Sequence, residues 1–557
     1  MKPQSYPDDI LSVYQRSFRE YWELPALTDY GSKEVMTYGD LARRIARIHL
    51  FYKQLGIRPG DKVALLGKNS ATWVMFFMGT ITYGATIVPI LSDFNAHDSQ
   101  HIINHSDATL LVISESIWEN YDFEEMPSLR AVVSIETRLV LAERSAEGEP
   151  SAERIIRNLT RKFRSVYRNG FTPGDIVYPK VDKDATAIIN YTSGTTGFSK
   201  GVMLTFDNIC GNVVFGINSR LHYEGSRALS FLPLAHAYGC AFDMLVPLAT
   251  GTFITVFGKT PTPRLLLKAL ADVRPNLVVC VPLILEKIYR KQIVPMITRR
   301  AMRWALAVPF IDGAIYAKIR NKLVEAFGGC FEEVIIGGAP LNSEVESFLH
   351  KIKFPFTVGY GMTECGPLIS YTPWREFAMT SCGRVLPIME AKINSDDPER
   401  IPGEICVRGQ NVMKGYYKNP DITADTIDED GWLHTGDMGT LADNTLFIRG
   451  RYKTMILSAS GQNIYPEEIE AKLNNMPYVN ESLIVERGKG LTAIVYPDYE
   501  RMDADHIATE QLSDLMEHNR QELNSLVAPY EKIDRIQLIP HEFEKTPKKS
   551  IKRYLYN

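Results

Sequence analysis

Apolar residues along the chain fall into short unbroken runs separated by stretches of helical period, and that alternation predicts most of the architecture. The runs KVALLG (62–67), TLLVIS (109–114), AIIN (187–190), RALSFLP (227–233), NLVVCVP (276–282) and EEVIIGG (332–338) have the length and β-branched content of buried strands. Helical stretches lie between them, which predicts parallel sheets with helical crossovers. Near residue 380 the texture changes to brief apolar pieces with frequent turns: SCGRVLPIMEAKI, GEICVRG, GWLHTGDMG and NTLFIRG. Those pieces read as antiparallel strands of a smaller sheet or barrel. After Arg451 comes a compact mixed segment, with helix YPEEIEAKLNNM, strands ESLIVER and LTAIVYP, and helix QLSDLMEHNRQELNSL. The expected fold class is α/β. A large N-terminal domain of sheets with helical layers carries a small β-barrel-like subdomain, and a small α+β C-terminal domain follows a boundary near residue 450.

Ala71–Leu91 (ATWVMFFMGTITYGATIVPIL) carries no charge over about the length of a membrane helix. Four threonines, Gly79, Gly84 and Pro89 interrupt it, and the β-branched run after Gly84 predicts a buried helix followed by a buried strand rather than a transmembrane span. Composition agrees with a globular chain: 557 residues, 45% hydrophobic and 23% charged, can bury a large core. The 62 Lys and Arg against 66 Asp and Glu leave a net charge of −4, without the basic excess of a nucleic-acid partner. Seven cysteines, Cys210, Cys240, Cys280, Cys330, Cys365, Cys382 and Cys406, are scattered with no CxxC pair, so neither a disulfide framework nor a structural zinc site is expected. The first 25 residues lack an apolar signal core, which makes a reducing cytoplasm the default compartment.

The densest chemistry lies in YTSGTTGFSKG (191–201), which follows the run AIIN. Glycines let the backbone turn its N–H groups onto phosphate oxygens, hydroxyls add donors, and Lys200 adds a positive charge. Only Phe198 and Ser199 separate Gly197 from Lys200, so the spacing is not GxxxxGK[ST] and a P-loop NTPase is disfavoured.

This run resembles the phosphate-binding signature of the adenylate-forming (AMP-binding) enzyme superfamily, which includes acyl-CoA synthetases, peptide-synthetase adenylation domains and firefly-type luciferases. Further segments follow in the family's order: FLPLAHAYG (231–239), IIGGAPL (335–341), YGMTECGP (360–367), GEICVRGQNVMKGYY (403–417), GWLHTGD (431–437) and RGRYKTMILSASGQNIYPEEIE (449–470). The resemblance covers essentially the whole chain and is nearest to long-chain-fatty-acid–CoA ligases. It implies a two-step reaction with ATP, Mg²⁺ and CoA. A fatty acid gives an acyl-adenylate plus pyrophosphate, and CoA then gives the thioester plus AMP.

The same resemblance implies the residue roles. Thr192, Ser193, Gly194, Thr195, Thr196, Gly197 and Lys200 hold the β- and γ-phosphates. Gly338, Ala339 and Pro340 line one side of the adenine, and Tyr360, with Gly361 and Met362 beside it, stacks on the other. Thr363 and Glu364 lie at the α-phosphate, and Glu364 helps to hold Mg²⁺. Asp437 takes the ribose hydroxyls with help from Arg451. His236 and Tyr238 belong to the acyl pocket, with Tyr238 a candidate gate, and His236 is also a candidate catalytic residue. On residues alone, a lone histidine between apolar stretches is equally a hydrogen-bonded core residue.

Lys453 matches the family hinge, about which residues 453–557 swing as a mobile domain, and Ser460, Gly461 and Gln462 then face the CoA tunnel. The C-terminal catalytic lysine departs from the family pattern T-P-T-x-K: this chain reads Thr546-Pro547-Lys548-Lys549-Ser550-Ile551-Lys552-Arg553, with Ser550 in direct register. Lys549 by a one-residue adjustment is the favoured candidate, Lys552 the second, and an impaired adenylation step or a basic solvated tail the remaining alternatives. His97, His101 and His105, at i, i+4 and i+8, read as one face of a solvated helix rather than a metal site. The basic, aromatic stretch TRRAMRWALAVPF is a candidate for peripheral membrane contact, with packing against the main domain the favoured role. Three other readings stay open: a same-fold ligase for another acid, transfer to a carrier protein, and a non-catalytic nucleotide- or acyl-binding homologue.

Overall fold

Strand Lys62–Leu66 lies inside an eight-stranded sheet whose order is Gly415–Tyr416, Lys200–Thr205, Thr186–Thr192, Thr86–Ile90, Lys62–Leu66, Ala108–Ile113, Ala131–Ser134, Val140–Glu143. The computed structural model describes residues 9–144, 151–192, 200–259, 262–297, 311–457, 463–488, 490–546 and 551–556. The five strands from Thr186–Thr192 to Ala131–Ser134 run parallel, and antiparallel partners close both ends. Parallel strands need both faces covered, and their runs Val63–Leu66, Ile87–Ile90 and Leu110–Ile113 are buried throughout.

The uncharged stretch after residue 70 resolves into helix Ala71–Tyr83 and strand Thr86–Ile90, as its sequence predicts. Ser70 caps the helix by accepting from the Trp73 amide, and Gly84, at φ +86°, ends it in the left-handed conformation. Thr80 and Thr82 are buried without penalty because their hydroxyls donate to the carbonyls of Phe76 and Met78, one turn back. Among the described residues no helix is long and apolar enough to cross a membrane.

Two further sheets stand beside the first. One is the parallel trio Leu277–Cys280, Glu333–Ile336, Phe356–Val358; the other is the four-stranded Arg227–Ser230, Phe253–Val256, Pro25–Asp29, Val35–Thr37. All the apolar runs assigned to strands from the sequence contain strands. The antiparallel region begins earlier than the change of texture near residue 380. Its seven strands run Tyr360–Gly361, Leu368–Tyr371, Arg384–Val385, Thr445–Arg451, Leu433–Ala442, Gly403–Gly409, Met389–Asn394. The end strands of this sheet do not pair with each other, so it stays open, and no closed barrel forms among the described residues.

Past Arg451 the chain makes a single turn, Tyr452–Thr454, and then a three-stranded sheet, Val479–Arg487, Gly490–Pro497, Ile533–Leu538, covered by helices Pro466–Leu473 and Leu512–Leu526. Ile469, Leu473, Ile484, Ala493 and Leu523 form a core separate from that of the preceding residues. Polar contacts join this segment to the parallel trio: Asn342 Nδ2 donates to Asn475 Oδ1 at 2.6 Å, and Arg290 donates to the Asn474 carbonyl at 2.7 Å.

His222 is 3% exposed, and burial pushes its imidazole down to about 4. A histidine depressed in the folded state contributes stability that is complete above its unfolded value near 6.5 and is lost as pH falls toward 4. At about 1.4 kcal/mol per pH unit, the loss approaches about 3 kcal/mol. Denaturant unfolding of His222→Gln is expected to show a shallower stability decline between pH 6.5 and 4 than the parent. Identical pH slopes would show that this imidazole is not buried neutral.

Candidate active site

The strands on either side of the hydroxyl- and glycine-rich run form one hairpin, with Thr192 directly opposite Lys200. Those two residues are the stems of the loop; Ser193, Gly194, Thr195, Thr196 and Gly197 lie outside the described residues. Next to the hairpin, edge strand Gly415–Tyr416 pairs Tyr416 with Val202. The Lys200 ammonium sits 5.0 Å from the centre of the Tyr416 ring, and the Tyr416 hydroxyl donates to Glu364 Oε1 at 3.0 Å. Burial, with the Glu364 charge added, holds the Tyr416 phenol far above its ordinary range, so it remains a donor. One aromatic side chain thus links the cation at the loop stem to the carboxylate of the YGMTEC segment.

His105 Nδ1 lies 2.7 Å from the hydroxyl of Tyr191, on strand Thr186–Thr192, and the His105 ring meets those of Tyr191 and Tyr417 edge-on. The solvated-helix expectation therefore holds for His97 but not for His105, whose imidazole is lowered by burial and by His101.

Thr363–Cys365 forms one tight turn, closed by Gly366 at φ +61°. Asn212, from helix Phe206–Asn218, fastens it: Nδ2 donates to the Cys365 carbonyl at 3.2 Å and to the Asn208 carbonyl at 3.0 Å, while Oδ1 accepts from the Leu368 amide at 2.9 Å. The Met413 amide adds a bond to the Glu364 carbonyl at 2.8 Å. Thr363 is buried, and Glu364 half-buried. At Gly361 a Cβ would come 2.2 Å from the Pro367 carbonyl oxygen, so only glycine lets the strand approach this closely.

Asp437 stands opposite Arg451 on neighbouring strands and is only 7% exposed. The Tyr360 hydroxyl donates to its Oδ2 at 2.6 Å, Arg451 Nε lies 3.2 Å from Oδ1, and its own amide donates to Thr435 Oγ1 at 3.1 Å. Burial raises its carboxyl above the usual range, and the Arg451 charge and the Tyr360 hydrogen bond oppose that rise. The family resemblance implies adenine stacking for Tyr360; its hydroxyl also ties the first strand of the antiparallel sheet to strand Leu433–Ala442.

Against Tyr360 and Thr363 lies an apolar cavity of about 50 Å³, lined also by His236, Tyr238, Gly338 and Met362 among others. Tyr238 narrows it: its hydroxyl donates to the Ile335 carbonyl at 3.1 Å, and its ring packs edge-on against Phe242 at 6.0 Å. His236 caps the short helix Ala237–Cys240, its Nδ1 accepting from the Tyr238 amide at 3.3 Å. Gly338, at φ +84°, turns the chain out of its strand, and Ala339 and Pro340 are exposed at the rim.

The remaining candidates lie apart from this cluster or are not described. Lys453 is exposed in the turn Tyr452–Thr454. Lys552 is 3.5 Å from Glu544 Oε2, within its own segment. Ser460, Gly461, Gln462, Lys549, Ser550 and the stretch TRRAMRWALAVPF lie outside the described residues. Sequence reasoning missed Tyr416 and Asn212. Tyr416 sits in the quoted run GEICVRGQNVMKGYY, but the link it makes depends on strand pairing. Nothing in the sequence around Asn212 marks it.

A sequence model of the AMP-binding enzyme family matches residues 14–417. The chain is 27% identical over 524 residues to long-chain-fatty-acid–CoA ligase ACSBG2 of Rattus norvegicus, covering 86% of this chain and 75% of that one. It is 28% identical over 486 residues to long-chain-fatty-acid–CoA ligase ACSBG1 of Mus musculus, where the match spans 80% of this chain and 64% of the relative. It is 29% identical over 513 residues to 4-coumarate-CoA ligase 1 of Narcissus pseudonarcissus, at 87% and 83% coverage. The crystal structure of the anthranilate CoA ligase AuaEII in complex with anthranoyl-AMP superposes with a TM-score of 0.76 at 19% identity, over 99% of this chain and 97% of that one. That likeness establishes the fold.

The Asn212 clamp yields a stability prediction. Asn212→Ala leaves the buried Leu368 amide and Cys365 carbonyl without this partner, an expected loss of about 2–3 kcal/mol. It should appear as a lower denaturant midpoint followed by tryptophan fluorescence. An unchanged midpoint would show that the turn is held by other means.

Proposed function

The chain belongs to the AMP-binding enzyme family, and from that premise we propose that it joins a carboxylic acid to the thiol of CoA through an acyl-adenylate, cleaving ATP to AMP and pyrophosphate. The observation that carries this reading is an apolar cavity walled by Tyr360 and Thr363, of which Tyr360 bonds to the buried Asp437 and Thr363 adjoins Glu364, the carboxylate that Tyr416 links to Lys200. A carboxylate is a poor electrophile because oxide would have to leave. When a carboxylate oxygen attacks the α-phosphorus of ATP, an O–P bond forms, pyrophosphate departs, and the acyl carbon acquires AMP as a leaving group. The CoA thiolate then attacks that carbon, and the C–O bond to AMP breaks.

The chief barrier is an anion approaching a polyanion, so donors and cations must be in place beforehand. Thr192, Lys200 and the Ser193–Gly197 run serve the β- and γ-phosphates. Asp437 accepts from the ribose, exchanging part of its bonding with Tyr360 and Arg451 for the two hydroxyls. The oxygen donors of Glu364 and Thr363 suit a hard divalent cation such as Mg²⁺. When bound there, that cation supplies charge neutralisation at the phosphates. Orientation of the carboxylate falls to Tyr416, which fixes Oε1 of Glu364. His236 and Tyr238 stand where the acyl group enters.

Residues 453–557, with their separate core, are proposed to move about Lys453, bringing first a C-terminal lysine and then Ser460–Gln462 to the reaction centre. For the lysine, Lys549 is proposed first and Lys552 second.

For the acid, a long-chain fatty acid is the first reading, supported by the likeness to long-chain-fatty-acid–CoA ligases over most of this chain. A smaller aromatic or short-chain acid is the second, and a specific observation favours it. The cavity of about 50 Å³ is well below the roughly 300–1,000 Å³ of ordinary small-molecule sites, so a long tail enters only if Tyr238 and its neighbours move.

Pyrophosphate release from ATP and Mg²⁺, measured with acids from acetate to C18 and with 4-coumarate, with and without CoA, tests the proposal. CoA-dependent turnover peaking at C12–C18 is expected, with Lys549→Ala lowering it by about 10²-fold or more, the scale of a lost electrostatic donor, and Lys552→Ala having the smaller effect. A peak at acetate or 4-coumarate would transfer the assignment to the second reading. ADP as product, or no pyrophosphate with any acid, would overturn both.

A further inference from the structure

Three side chains on one face of the seven-stranded sheet, away from the groups assigned to ATP, carry the donor set of a transition-metal site. Glu404 and Cys406 are two residues apart on strand Gly403–Gly409, which pairs in unbroken register with Met389–Asn394, so both point to the same side. Cys406 lies directly opposite His434 on the other neighbouring strand. On that side the register shifts between Glu404 and Cys406, and the shift brings both side chains to a single imidazole.

The spacing suits a small ion. His434 Nδ1 is 2.8 Å from Glu404 Oε2 and 3.5 Å from Cys406 Sγ, and the ligand atoms of all three lie within 4.8 Å of one another. Metal bonds of about 2.0 Å to nitrogen or oxygen and about 2.3 Å to sulfur place neighbouring ligands of a tetrahedron roughly 3.5 Å apart. Only a modest opening of the histidine–carboxylate hydrogen bond separates the observed geometry from that arrangement.

The surroundings already orient the three ligands. The Gly436 amide donates to Glu404 Oε1 at 3.2 Å, leaving Oε2 toward the imidazole. Asn394 Nδ2 lies 3.4 Å from the sulfur, a donor for a thiolate. On the far side of the ring, Asp428 Oδ2 stands 3.8 Å from His434 Nε2. Closing that gap to hydrogen-bond distance would let the carboxylate fix the tautomer of a histidine that ligates through Nδ1. Cys406 is buried, whereas His434 and Glu404 are partly exposed, so an ion has a path from solvent.

We propose that Glu404, Cys406 and His434 bind one borderline divalent ion of the zinc class, with solvent as the fourth ligand. Sulfur and nitrogen donors exclude Mg²⁺ as the preferred occupant, so the site is independent of the oxygen donors at Glu364. Its place in the fold gives it a consequence. His434 is three residues before Asp437, and the intervening Thr435 and Gly436 are both bonded to the Glu404–Cys406 strand. An ion joining the two strands holds the turn that presents Asp437.

The test is Co²⁺ titration of the full chain after chelator treatment, followed by optical absorption. A thiolate-to-cobalt band saturating at one equivalent is expected, displaced by equimolar Zn²⁺ and unaffected by excess Mg²⁺. Cys406→Ser should abolish the band, and His434→Gln and Glu404→Gln, partly exposed positions whose folding is checked by circular dichroism, should weaken Co²⁺ binding at least tenfold. Cys330→Ser, away from the site, should leave it unchanged. Absence of a one-equivalent band in the parent, or a band undiminished in His434→Gln and Glu404→Gln, would overturn the proposal. Neither result depends on which acid the protein activates.

Discussion

A carboxylate held at 7% exposure must be given partners by the fold, and Asp437 draws them from separate parts of the chain. Tyr360 comes from the first strand of the antiparallel sheet and Arg451 from the strand that ends at the proposed hinge, while the Asp437 backbone amide is tied to the Thr435 hydroxyl. An unpaired charge at this depth would cost several kcal/mol or take up a proton. The strands of the antiparallel sheet that carry Tyr360, Asp437 and Arg451 are therefore pinned where these bonds meet. The same pinning aligns the Thr363–Cys365 turn, since Tyr360 and Thr363 are close in sequence and Asn212 fastens the turn from the other side. A nucleotide whose ribose replaced these partners would inherit an acceptor already desolvated and oriented, which is how a site gains affinity from preorganisation.

Polar and apolar demands are met by different side chains. Lys200, Tyr416 and Glu364 present a cation, a donor and an anion, while Tyr238, Phe242 and Leu221 are among the walls of the cavity. In the proposed reaction the acid places its charged end at the first group and its tail in the second. The small volume makes the Tyr238–Ile335 hydrogen bond the contact that any larger tail must break or bypass. Its energetic scale, about 1 kcal/mol net, is within what burying a few methylene groups returns.

Much of this was legible in the sequence because it is local. Strand runs such as TLLVIS and the helix–strand division at Gly84 announce themselves within a dozen residues. The order of motifs from Tyr191 to Glu470 carried the family. What escaped is long-range. The Tyr416–Glu364 link spans 52 residues and the Asn212–Cys365 clamp 153. The grouping of Glu404, Cys406 and His434 arises from cross-strand register that no CxxC-type spacing reveals. His105 looked solvated because helical period shows which residues share a face, not that Tyr191 and Tyr417 cover one end of it. An open sheet in place of a barrel has the same cause, since edge closure depends on pairing between distant strands.

Acid activation through a mixed anhydride with AMP is the central step of the proposed reaction, and isotope transfer tests that bond most directly. With a substrate acid carrying ¹⁸O in both carboxylate oxygens, attack on the α-phosphorus followed by thiolysis leaves one labelled oxygen on the phosphate of AMP. Mass spectrometry of the product nucleotide is predicted to show AMP heavier by two mass units, in step with thioester formation. Unlabelled AMP, or label appearing in inorganic phosphate alongside ADP, would contradict the acyl-adenylate route.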